Sequence, residues 1–171
     1  MKQHKASHWN KPALVTSLMV TSLLLWTNTA AQSPVDLYGY DVASAERFVF
    51  SPRTHQWRAI DANGDVVRSG RGSGGRAYCH DTRRQCKTPT GTFAITYKGG
   101  AGCRSSRYPL GRGGAPMPYC MFFTKYYGIH GSHDVPNYNA SHGCVRVSPQ
   151  DAKWLYHNFI KTGTTVVIKP Y

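Results

Sequence analysis

Acid is what this sequence has least of. Eight Asp and Glu stand against 21 Lys and Arg in 171 residues, a formal net charge of +13. Such a balance narrows the partners to anionic ones: nucleic acid, an acidic membrane surface or another anionic polymer. A long hydrophobic run is also missing. The apolar stretch at 13–26 has 14 residues, short of the roughly 20 that a bilayer span needs. No cysteine precedes Cys79, which excludes a lipid-bearing N-terminal cysteine. The glycine-rich stretch 69–76 lacks a Gly-Lys-Ser/Thr ending and opens no helix, so it reads as a loop and not as a phosphate cradle. No Gly-x-Ser-x-Gly surrounds Ser141, which removes it as a serine nucleophile and leaves it as a turn residue. Hydrophobic content of 40% and aromatic content of 12% exclude a disordered chain. The length suits one compact domain.

The N-terminus reads as an export signal. Lys2, Lys5 and Lys11 precede the 13–26 run, and Thr29, Ala30 and Ala31 supply small residues for cleavage after Ala31. Removal of residues 1–31 leaves 140 residues with a charge of +10. Export takes nucleic acid off the list of partners and permits disulfides. The expected organisation is a signal at 1–31, a lead-in segment at 32–46 and a single domain at 47–171.

Within that domain the pattern is of short strands. Residues 47–50 and 57–60 read as strands, and Asn63-Gly64 predicts a type I′ hairpin turn with 65–68 returning. Further strands are expected at 92–97, 120–129 and 164–169. The aromatic and β-branched stripe at 120–129 suits a sheet core. One helix is expected, at 149–161. Ser148 is its N-cap, Pro149 its first residue and Asp151 its capping-box acid. Ala152, Leu155, Tyr156, Phe159 and Ile160 give it one apolar face, and Gly163 stops it. The fold class is mainly β with one late helix.

Five cysteines is an odd number, so one is left over for a free thiol or an intermolecular bond. Cys79, Cys86, Cys103 and Cys120 lie together in the middle of the chain, and Cys144 sits apart. Four cysteines allow three connectivities. Pairing Cys79 with Cys86 and Cys103 with Cys120 closes two local loops and is the preferred one.

The chemistry concentrates in residues 129–148. A nucleophilic thiolate needs an imidazole to take its proton, and His130 and His142 both qualify. In a Gly-flanked turn the Gly143 and Cys144 amides are placed to form an oxyanion hole. Arg146, two residues beyond Cys144, shares its face and can hold a substrate carboxylate. His55, His80, His133 and His157 read as solvated loop residues. His130, His133, His142 and Cys144 also make a zinc-like set by type and number, but their spacing fits no standard finger. No metal or cofactor is expected.

His130, followed after ten residues by Ser141-His142-Gly143-Cys144-Val145-Arg146, resembles the signature of the L,D-transpeptidase (YkuD-like) family. Thr88-Pro89-Thr90-Gly91-Thr92-Phe93 resembles another of its segments, and the likeness extends over roughly 45–170. The four other cysteines resemble a subgroup of enhanced-entry proteins. The resemblance implies a β-sandwich-like catalytic fold and a peptidoglycan-modifying cysteine acyltransferase. It makes Cys144 the acylated nucleophile, His130 the general base and acid, and Gly131 the carbonyl that orients His130. His142, Gly143 and Arg146 then shape the oxyanion hole and substrate site. The spacer before Ser141 is shorter than in many members, which trims the loop over the site. The implied partners are donor and acceptor stem peptides of the periplasmic wall, acting on a monomeric enzyme without cofactor. Water or an outer-membrane protein as acceptor would make it a carboxypeptidase or a protein-attaching enzyme. A sortase is disfavoured by the lack of a Thr-Leu-x-Thr-Cys segment. A non-catalytic wall binder that inherited the motif is the reading from another class.

Overall fold

Alternation builds the first hairpin. In β1 (Arg47–Ser51) Phe48 and Phe50 are buried, and in β2 (Gln56–Ile60) so are Trp57 and Ala59. The residues between them face out, as a half-buried sheet requires. A computed structural model describes residues 45–171. The expected signal at 1–31 and nearly all of the lead-in segment lie outside the described residues.

The hairpin from β2 to β3 (Val66–Ser73) forms where expected, but its turn is of another type. Gly64 has φ +91°, while Asn63 is not among the residues with positive φ. Asp61 Oδ1 accepts from the Asn63 and Asp65 amides, at 2.9 and 3.0 Å. The register shifts at Ala59/Ile60, so the connection is a longer turn with a bulge and not the two-residue type I′ turn. The glycine-rich stretch is also corrected. Residues 69–73 are strand, not loop. A Cβ at Gly70 would stand 2.9 Å from Trp57 Nε1, and one at Gly72 2.8 Å from Phe50 Cε2. These glycines admit the two core aromatics against the strand.

The remaining strands are β4 (Tyr78–Cys79), β5 (Arg84–Gln85), β6 (Gly91–Ala94), β7 (Tyr97–Lys98), β8 (Met121–Phe122), β9 (Gly128–Gly131), β10 (Val145–Val147) and β11 (Thr165–Ile168). Nine form one sheet in the order β6-β11-β1-β2-β3-β10-β9-β8-β7, and β4 and β5 form a separate hairpin. Two places fold this sheet over. The first part of β3 pairs with β2, whereas Gly72 and Ser73 pair with β10. At the other side the expected strand 92–97 breaks at Ile95 and Thr96. There the Ile95 amide bonds Thr164 O and the Thr96 amide bonds Phe122 O. The chain thus crosses from one half of the curled sheet to the other. The expected strand 120–129 is two strands, because Phe123 and Thr124 donate back to Tyr127 O and close a turn. The result is the mainly β, sandwich-like fold with one late helix.

Helix α1 (Pro149–Trp154) starts as read. Ser148 Oγ accepts from the Asp151 amide and Pro149 is the first residue. Asp151 also takes the Arg68 guanidinium at 2.8 Å. Beyond Trp154 the helix widens to a π turn, Leu155–Phe159, and ends at an extended Ile160. It stops before 161, and Gly163, φ +92°, serves the next turn instead. Lys98 Nζ donates to Tyr156 O at 2.6 Å and to Ile160 O at 2.5 Å. These are carbonyls that a helix end leaves without partners. Ala152, Leu155, Phe159 and Ile160 pack with Ile129, Val145, Val147 and the β1–β2 aromatics in one core.

Candidate active site

Two adjacent parallel strands set the site. β10 pairs with β9 so that Arg146 lies beside His130 and Val145 beside Ile129. Val145, Val147 and Ile129 are buried in the core, so the alternate residues face the other way. His130, Arg146 and Cys144, one step before β10, therefore share one face. Gly128 lies beside Cys144 and offers no side chain to cover it.

His130 is 7% exposed, and its Nδ1 lies 2.9 Å from Gly131 O. A carbonyl only accepts, so Nδ1 carries the proton and Nε2 is left as the acceptor. Burial pushes this imidazole down to about 4; the Gly131 bond opposes the shift and the Arg146 guanidinium adds to it. Burial pushes the half-buried Cys144 thiol up, against weaker lowering by the Gly128 backbone and Arg146. Burial thus favours the neutral form of both groups. Charge separates only when the proton moves.

The turn 141–144 is held from several sides. Ser141 Oγ donates to Cys144 O at 2.5 Å and accepts from the Gly143 amide at 2.9 Å. The Gly143 amide is thus engaged inside the turn, which corrects the expectation that it joins the Cys144 amide in an oxyanion hole. The Cys144 amide has no protein acceptor among the described residues. Gly143 has φ +131°, and a Cβ there would stand 2.3 Å from the Tyr127 ring. Both facts demand glycine. Thr88, 1% exposed, donates to Gly143 O at 2.8 Å and accepts from the Gly75 amide at 2.9 Å. Tyr171 OH accepts from the Thr88 amide and donates to Gly75 O, each at 2.8 Å.

His142 is fixed by two loops. Its Nε2 lies 2.7 Å from Asp81 Oδ2, and its ring lies 4.3 Å from that of Tyr108. Asp81 belongs to the β4–β5 hairpin, closed by the Cys79–Cys86 disulfide. Tyr108 belongs to the loop closed by Cys103–Cys120. Both preferred pairings are present, and Cys144 is the free cysteine. Contact with His142 holds the Asp81 carboxyl below its usual range. Arg146 meets Asp134 at 2.5 Å.

The zinc-like set does not converge. Among the described residues the close group of metal-type ligands is Cys79, Asp81 and His142, and the Cys79 sulfur is spent in a disulfide. His55, His80 and His133 lie in turns or loops, but His157 lies in the π turn and not in a loop.

Cys144, His130, His142, Ser141 and Arg146 all line one cleft of about 670 Å³. Arg84, Arg104, Arg107, Lys125 and Arg146 contribute to its walls against one acid, Asp134. Sequence reasoning missed Asp81, Thr88, Tyr108, Tyr127 and Asp134. Only Thr88 carried a signal, as the first residue of the Thr-Pro-Thr-Gly segment.

A strand-borne histidine and a free cysteine thus share one face of a cationic cleft. The sequence model of the YkuD L,D-transpeptidase catalytic domain matches residues 45–168, and the chain belongs to that family. Among solved structures, residues 123–326 of an L,D-transpeptidase from Xylanimonas cellulosilytica align with TM-score 0.64 and 29% identity, covering 77% of this chain and 65% of that one. An L,D-transpeptidase from Mycobacterium smegmatis aligns with TM-score 0.60 and 20% identity over 73% and 58%. L,D-transpeptidase 3 from Mycobacterium tuberculosis, in complex with a faropenem-derived adduct, aligns with 0.58 and 21% over 74% and 60%. The chain thus spans less than two thirds of the length of each. No curated protein matches it.

Proposed function

We propose that the protein is an exported peptidoglycan L,D-transpeptidase working through a Cys144 thioester, with its leader removed near Ala31 and the domain at 47–171 acting in the periplasm. The observation that carries this is the free Cys144 on one strand face with His130, whose Nδ1 is committed to Gly131 O. That bond leaves Nε2 unprotonated, as a base requires.

His130 takes the thiol proton as sulfur attacks the carbonyl of the third residue of a tetrapeptide stem. The C–N bond then breaks, the proton passes to the departing D-alanine amine, and a thioester remains. An amine of a second stem attacks the thioester, the C–S bond breaks, and Cys144 recovers its proton through His130. The product is a link between two diaminopimelyl residues. The Cys144 amide supplies one donor to the oxyanion. Arg146 holds a stem carboxylate in exchange for Asp134, which at 71% exposure is readily displaced. The cationic walls suit a substrate rich in carboxylates.

Mass spectrometry of muropeptides incubated with the protein tests the proposal. Dimers with the new link are expected from wild type and none from Cys144→Ala. A penem is expected to add its mass to wild type only, as an adduct is seen in the Mycobacterium tuberculosis relative. Dimers from Cys144→Ala would refute the proposal. Conversion to tripeptides without dimers would make the enzyme a carboxypeptidase.

A further inference from the structure

The second half of this reaction poses a proton problem that His130 alone does not solve. An alkylamine acceptor is an ammonium ion near neutral pH, with a pKa of about 10. It must lose one proton before it attacks and a second as the amide forms. His130 Nε2 can take the second and return it to the Cys144 sulfur. The first goes to solvent before binding or to another base in the same cleft.

His142 occupies that position. Its ring lines the cleft with Cys144. Asp81 Oδ2 lies 2.7 Å from its Nε2, and Tyr108 stacks on its face at 4.3 Å. With Nε2–H donated to the carboxylate, Nδ1 is the acceptor, and no protein group takes it among the described residues. The charged and titratable groups around the ring are Asp81, with His80 beside it, and Tyr108. Tyr108 itself carries Arg84 on its hydroxyl at 3.4 Å and Arg107 over its ring. Asp81 is the acid of that set, and its carboxylate fixes the ring through Nε2.

Resting on the proposed transfer reaction, we propose that His142 is a second base, positioned by Asp81 and Tyr108, which takes the first proton from the acceptor ammonium. The steps balance. The ammonium gives a proton to His142 Nδ1, and the free amine forms the new C–N bond at the thioester carbonyl. Its second proton passes to His130, the C–S bond breaks, and the leaving thiolate takes that proton. His142 then returns its own to solvent. The disulfide loops thereby supply a part of the site that lies outside the Ser-His-Gly-Cys segment. Asp81 comes from one loop and Tyr108 from the other.

The test uses the full oxidised chain, acylated by a tetrapeptide donor and followed by intact mass. The thioester is chased with a stem alkylamine and, separately, with methoxyamine, which is already neutral at pH 7. For Asp81→Asn the ratio of alkylamine to methoxyamine transfer is expected to fall at least tenfold at pH 7. Its alkylamine rate profile should move to higher pH. Asp81→Glu is expected to restore most of the ratio. A thioester whose two chases slow equally, or not at all, overturns the second base alone. If wild type forms no thioester, the transfer reading falls and the second base with it.

Discussion

Thr88 has no charge and performs no chemistry, yet two loops of the site hang on its hydroxyl. It joins the Gly75 amide to the Gly143 carbonyl in a place where water does not reach. Thr88→Val keeps the shape and removes both bonds. Leaving two buried polar groups unpaired costs about 1–3 kcal/mol each. We expect unfolding free energy to drop by about 2–6 kcal/mol in urea titration, and acylation by a penem to slow as Gly143 shifts. Unchanged stability would mean that the turn is held elsewhere. The sequence segment around Thr88 was visible as a motif, but its partner lies 55 residues away. Asp81 meets His142 across 61 residues. Neither contact leaves a local pattern, so Cys144 and His130 stood out in sequence as candidates while the residues that pack around their site did not.

At the scale of the element, the strand alternation of Phe48, Phe50, Trp57 and Ala59 was readable because one face is buried and the other wet. The glycines of β3 were not, because glycine marks both loose loops and strands that aromatics press against. Only the positions of Trp57 and Phe50 separate the two cases. The helix start was legible from Ser148 and Pro149, but its end depends on a residue from β7. Lys98 caps carbonyls of the π turn and lies 4.1 Å above the Tyr156 ring. Lys98→Met keeps the stem and loses the donors. We expect a loss of about 1–2 kcal/mol. Hydrogen exchange should speed up in residues 155–160 and stay unchanged in β1 and β2. Uniform acceleration across the domain would contradict a local cap.

For the whole molecule, the neutral His130 ties stability to acidity. An unfolded chain protonates this residue below about 6.5, whereas the folded one resists until about 4. Between those values the unfolded state holds more protons, so stability falls as pH drops through this window and is fully present above it. The share of His130 is at most about 3 kcal/mol. His130→Asn, which can still donate to Gly131 O, is expected to flatten the decline in denaturant midpoints between pH 6.5 and 4. A variant as acid-sensitive as wild type would assign the decline to other groups.

The pairing of β1 with β11 carries a consequence in time. Arg47 lies beside Thr165 and Phe50 beside Ile168, so the first strand of the sheet is flanked by the last. Closing so long a loop costs entropy before any contact returns it, and folds dominated by such pairings form slowly. A chain lacking residues 165–168 also leaves β6 without its sheet neighbour among the described residues. The domain therefore folds late and as a unit, after nearly all of its length is present.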